Sequence, residues 1–181
     1  MGHIFMRQSN EKITGERLDQ KKRSRHYSNF RRARRTGLEG LDRSEPSDAM
    51  VGPKDFTSPS CETDFRVGGK YLFCMRSDIG PEIWQKGLYS TGVYKEIIPM
   101  KKIVCTDCFS DEQGNVVPAS YYGMEGEFPL EMMVTITFEV VQGNKTRMTL
   151  VHEGLPAGEH TKGATQGWNE SFDKLAATFQ S

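Results

Sequence analysis

Apolar and polar residues alternate one for one through much of this chain after its first fifty residues. From Glu131 to Val140, Met132, Val134, Ile136 and Phe138 share one face of an extended strand, while Met133, Thr135 and Thr137 share the other. Cys61, Thr63, Phe65 and Val67 alternate with Glu62, Asp64 and Arg66, which predicts a second half-buried strand. Gly68-Gly69 turns it into Lys70 to Arg76, where Tyr71, Phe73 and Met75 form one face of a hairpin partner. Ser77 to Gly87 reads as a loop, followed by a strand from Leu88 to Ile98. Lys101 to Phe109 is the next strand, with Ile103, Cys105 and Asp107 on one side and Val104, Thr106 and Cys108 on the other. Ser110 to Pro129 is polar and glycine-containing; Gln142-Gly143-Asn144 is a turn, and Lys145 to His152 is the last strand. Turns at this spacing favour an antiparallel meander over alternating strand-helix units.

The period changes once, at Thr161 to Gln180. Ala164, Trp168, Phe172, Leu175, Ala176 and Phe179 recur at three- and four-residue intervals, the stripe of a helix roughly 30 Å long. Three aromatics on one helical face need a broad apolar surface, and the meander supplies it. The pattern therefore predicts an α+β fold: a curved antiparallel sheet with a long C-terminal helix laid over it.

Composition divides the chain at about residue 50. Residues 1–50 carry 12 Lys or Arg against 7 Asp or Glu, whereas 51–181 carry 12 against 17, so a net charge of zero hides two unlike segments. Eight basic side chains fall between Lys21 and Arg35, where no strand and no apolar helical face is evident. Residues 1–50 are read as a basic, atypical or partly disordered segment, and 51–181 as the folded domain. An arginine-rich patch attracts phosphate, but Tyr27 and Phe30 are too few for a base-stacking platform, so nucleic acid is not the expected partner. The chain contains no run of eighteen apolar residues and no continuous apolar leader, the pattern of a cytoplasmic protein without a membrane span.

Candidate chemistry is sparse. Cys105-Thr106-Asp107-Cys108 has the spacing of half a zinc site, but positions three apart on a strand face opposite ways and no second close pair accompanies it. Neither a metal nor a cofactor is expected. His152-Glu153 closes a strand, with Glu153 placed to orient the histidine, and Glu96, His152 and Glu153 are candidates for a polar rim. The carboxylates Asp64, Glu96, Asp107, Glu131, Glu139 and Glu153 are dispersed, and no spacing selects a pair for acid-base work. Phe73, Met75, Tyr94, Met132, Val134, Ile136, Met148, Trp168 and Phe172 are the candidates for lining a space between sheet and helix, either as an open pocket or as a filled core.

Four phrases in order along residues 51–180 carry a resemblance: Phe65-Arg66-Val67-Gly68-Gly69-Lys70-Tyr71, Gly92-Val93-Tyr94-Lys95-Glu96-Ile97, Met133-Val134-Thr135-Ile136-Thr137-Phe138 and Gly167-Trp168-Asn169-Glu170-Ser171-Phe172-Asp173-Lys174-Leu175. They resemble the START-like, or polyketide cyclase-like, superfamily, in the branch similar to the C-terminal domain of activators of the ninety-kilodalton heat-shock chaperone ATPase. That resemblance implies a helix-grip fold, in which a strongly bent antiparallel sheet wraps around the C-terminal helix and short helices after the first strand close a cavity. Val51-Gly52-Pro53-Lys54-Asp55-Phe56-Thr57 is similar to the end of the family's opening pattern, but Ala49-Met50-Val51 stands where bulky aromatics belong, and the first strand has no counterpart upstream. Three functions follow from the resemblance: a binding module for a small apolar or amphipathic ligand, a cochaperone-like interaction domain, and a cyclase or dehydratase. Expected partners are such a ligand, a chaperone, or a second copy of the chain at an exposed sheet edge.

Overall fold

The computed structural model describes residues 23–31, 52–141 and 145–178, with side chains for 52–141 and 146–177. Among these residues, seven strands form one antiparallel sheet: β1 Arg23–Arg31, β2 Thr57–Thr63, β3 Lys70–Arg76, β4 Leu88–Ile98, β5 Lys102–Ser110, β6 Met132–Val141 and β7 Lys145–Glu153. The short helix α1, Glu82–Lys86, lies between β3 and β4, and the long helix α2, Glu159–Thr178, closes the described chain. Strand order is β1-β7-β6-β5-β4-β3-β2, so β2 to β7 form the meander that alternation predicts, and β1 sits at the far edge beside β7. This is the helix-grip arrangement, a curved antiparallel sheet around a long C-terminal helix.

The first strand is a correction. Within the basic segment, where alternation shows no strand, residues 23–31 pair with β7, from Arg23 opposite Glu153 to Arg31 opposite Lys145. An edge strand is held by backbone hydrogen bonds, and charged residues there deter further pairing, so it shows no apolar alternation to be read. Strand β2 also starts and ends earlier than its alternation suggests. It includes Pro59, which an edge strand tolerates, and it stops at Thr63 because the backbone then turns. In that turn the Arg66 and Gly69 amides donate to the Asp64 and Arg66 carbonyls, and Arg66 pairs with the Asp64 carboxylate.

Two stretches read as loops contain structure. Within 77–87, α1 is supported by an exposed Glu82–Lys86 pair one turn apart. Within the polar stretch after β5, a 3-10 turn at Ala119–Tyr122 inserts Tyr122 into the protein. Its hydroxyl donates to the Ser110 carbonyl at 2.6 Å and accepts from the Tyr89 amide at 2.9 Å, which pins the loop to the sheet. The short helices implied after the first strand, the Gln142-Gly143-Asn144 turn and Phe179 lie outside the described residues.

The core lies between the concave sheet face and α2. Tyr71, Tyr94, Ile103, Cys105, Val134, Met148, Leu150, Phe172 and Leu175 form one buried cluster, and Phe65, Phe73, Ile97, Ile136, Phe138, Trp168 and Ala176 pack against it. Polar ties fix the helix to the 53–56 loop: the Lys174 ammonium donates to the Pro53 and Phe56 carbonyls, and the Glu170 carboxylate accepts the Lys54 amide. No helix among the described residues is long and apolar enough to cross a membrane.

Candidate functional site

Side chains on alternate positions of a strand share a face, so the concave surface can be followed along each strand in steps of two. On β5 it runs Ile103, Cys105, Asp107, and on β7 Met148, Leu150, His152. Each run is apolar for two steps and titratable at the third. Register brings the two ends together, because Val134 of β6 lies opposite both Cys105 and His152, and Met132 lies opposite Asp107. The result is a buried polar chain across one end of the interior, drawn from three strands and the helix. Tyr71 of β3 donates its hydroxyl proton toward Asp107 Oδ1 at 3.1 Å and the Thr106 carbonyl at 2.8 Å. Asp107 Oδ2 lies 3.3 Å from His152 Nε2, and the indole N–H of Trp168 donates to His152 Nδ1 at 3.3 Å.

Gly92 makes room for this chain. A Cβ there would stand 1.9 Å from the Thr106 carbonyl oxygen and 2.7 Å from Tyr71 Cε1. Only a residue without a side chain lets the Tyr71 ring lie close enough to β5 for its hydroxyl to reach Asp107.

The protonation pattern follows from the donors. An indole N–H can only donate, so Nδ1 of His152 is an acceptor, and the proton of the neutral imidazole sits on Nε2. Burial lowers the His152 pKa from the ordinary 6.5, opposed by the Asp107 charge. Burial, followed by the same carboxylate, pushes the Tyr71 phenol well above 10. With Nδ1 occupied and Nε2 protonated, the imidazole has no free lone pair and is not set up as a base. The Nε2–H is buried and makes no hydrogen bond among the described residues; Asp107 Oδ2 is within reach but off the N–H direction. The site therefore presents an idle donor beside an acceptor whose other oxygen is already engaged.

Tyr94, Val134, Met148 and Phe172 fall in the buried cluster, with Phe73, Ile136 and Trp168 packed against it, so these seven candidates for lining the interior lie together. Met132 is buried at the polar end, while Met75 is half-buried near Gly52 at the other end of β3. The Tyr94 hydroxyl is 2.9 Å from Thr63 Oγ1. Of the polar candidates, His152 lies inside, 5% exposed. Glu96 is on the β4–β5 hairpin, paired with Lys102 at 2.7 Å. Glu153 follows His152 on the strand and thus projects from the other face; the carboxylate beside the histidine is that of Asp107. Alternation puts Asp107 in step with Ile103 and Cys105, although no spacing pairs it with another carboxylate. A charged residue in step with two apolar ones was the available signal.

Elsewhere the chemistry is quiet. All four cysteines are free, and burial pushes the Cys105 thiol up to about 12 and those of Cys61 and Cys108 up to about 11, which keeps them protonated. An open cleft of about 420 Å³ lies at the β2–β3 edge, lined by residues that include Glu62, Asp64, Lys70, Leu72 and Gln113.

Residues 48–180 match a family model described as Activator of Hsp90 ATPase homolog 1-like protein. No curated protein sequence matches the chain. Among solved structures, a protein from Chromobacterium violaceum is 23% identical with a TM-score of 0.62, over 87% of this chain and 96% of its own. A protein from Nitrosomonas europaea is 17% identical, TM-score 0.65, covering 90% and 97%. The AHSA1 protein from Silicibacter pomeroyi is 18% identical, TM-score 0.57, covering 87% and 98%. At these identities the likeness is one of fold.

Proposed function

Because the chain belongs to the family of activator of Hsp90 ATPase homolog 1-like proteins, we propose that it is a binding module for a small amphipathic molecule held between the concave sheet and α2. The observation that carries this reading is the Nε2–H of His152, buried at the polar end of the interior and without a hydrogen bond among the described residues. Leaving a buried donor unpaired costs about 1–3 kcal/mol, and a side chain needed only for packing would be apolar there. The apolar body of the ligand would lie among Phe73, Tyr94, Val134, Ile136, Met148 and Phe172, with Met132 and Met148 as adaptable walls. Its polar end would meet His152 and Asp107. These side chains pack on one another in one cluster, so the ligand would enter by displacing α2 from the sheet.

A two-dimensional amide and indole NMR map of the full-length protein tests this against sterols, fatty acids and aromatic polyketide-like compounds. Saturable shifts at the Trp168 indole, Tyr94 and Met132 are expected. A dispersed map that no compound perturbs would remove the reading.

The family match favours a second reading, a cochaperone-like contact with a ninety-kilodalton heat-shock chaperone. Its test is the chaperone's ATP turnover with and without this protein, and an unchanged rate together with no complex would exclude it.

A further inference from the structure

Resting on that binding reading, we propose that the ligand's polar end is a single hydroxyl group, an alcohol or phenol, that bridges His152 Nε2 and Asp107 Oδ2. Trp168 holds the imidazole in the form with its proton on Nε2, so that atom is a donor. Tyr71 occupies Oδ1 of Asp107, and Oδ2 keeps acceptor capacity. The idle donor and the acceptor are 3.3 Å apart. At that spacing one atom completes both bonds if it accepts from Nε2–H while donating to Oδ2, and a hydroxyl oxygen does both.

Other head groups fail on one side or the other. A carboxylate only accepts, and its charge is set against that of Asp107 in surroundings of low dielectric. An ether accepts and has no proton for Oδ2. An ammonium group donates to Oδ2 and leaves Nε2–H unpaired. The Asp107 side chain is 18% exposed against 6% for His152, so the polar end of the interior reaches solvent on the carboxylate side, and the ligand's head would lie at that mouth with its body under α2.

Four probes with one aromatic body separate the possibilities: naphthalene, 2-naphthol, 2-methoxynaphthalene and 2-naphthoate, each titrated into the full-length protein and followed by the Trp168 indole resonance. The expected result is that 2-naphthol binds about tenfold tighter than the other three. That preference should vanish in Asp107→Leu and in His152→Leu, each first shown to be folded by its amide dispersion. Equal binding of all four in the wild type would overturn the hydroxyl bridge and leave the apolar binding reading standing. Methoxynaphthalene or naphthoate matching naphthol would also overturn it. Binding by none of the four, nor by any compound in the wider panel, would remove both readings.

Discussion

The middle and the polar end of the space beneath α2 are made by the same strands and the same sheet face, one alternate position apart. In the middle, Cys105, Val134 and Leu150 meet Phe172, and Leu150 is fully buried. One step along, Asp107 and His152 replace Cys105 and Leu150, and Trp168 is the helix residue that meets His152. The middle is held by apolar area removed from water, which is non-directional and tolerates nothing missing. The end is held by directional bonds, of which one is left unmade. On the proposed function, stability and recognition belong to neighbouring layers of one interior.

The comparison breaks most readily at Leu150. Its replacement by Ala should lower unfolding free energy by about 2–5 kcal/mol, seen as a lower urea midpoint. A loss below about 1 kcal/mol would mean that the middle is already loosely filled, and that the two layers differ less than their side chains suggest. Gly92→Ala tests how the end is built. Because a Cβ there meets backbone, it should destabilise by about 1–3 kcal/mol and shift the Tyr71 ring resonances.

Protonation sharpens the contrast. With its folded pKa lowered, His152 binds fewer protons in the native than in the unfolded state. Its stabilising effect is complete well above pH 6.5 and declines as pH falls from there toward the lowered folded value. His152→Leu should be within about 1 kcal/mol of the parent at pH 8, since it removes an unpaired donor as well as an acceptor. It should also flatten the denaturation midpoint between pH 7 and 5 relative to the parent; an equal slope in both proteins would show that His152 is not the group responsible.

The smallest effect belongs to the far end of the sheet. Met100 has φ of 61° in the β4–β5 turn, where the Lys101 amide donates to the Ile98 carbonyl. Met100→Gly should relieve that conformation and raise stability by about 0.5–1 kcal/mol, detectable as a small rise in Tm with both layers unchanged.

The sequence by itself determined the elements whose patterns are local. Alternation bounds β3 and β4 as they are found, brings β5, β6 and β7 to within a residue or so at each end, and the three-to-four spacing places α2 with a shift of two residues. These periods arise from each strand's or helix's own geometry. The resemblance added the way those elements are wrapped together. Tertiary structure alone decided the rest. Arg23–Arg31 becomes a strand because β7 offers it unpaired backbone groups, which no side-chain pattern announces. Asp107 and His152, 45 positions apart, become partners because the register of β5, β6 and β7 sets them at the same end, and register is a property of strand pairs. Each residue was readable as polar, in step with apolar neighbours. Their 3.3 Å approach, and the idle proton that Nε2 carries beside the carboxylate, exist only once the sheet has closed around the helix.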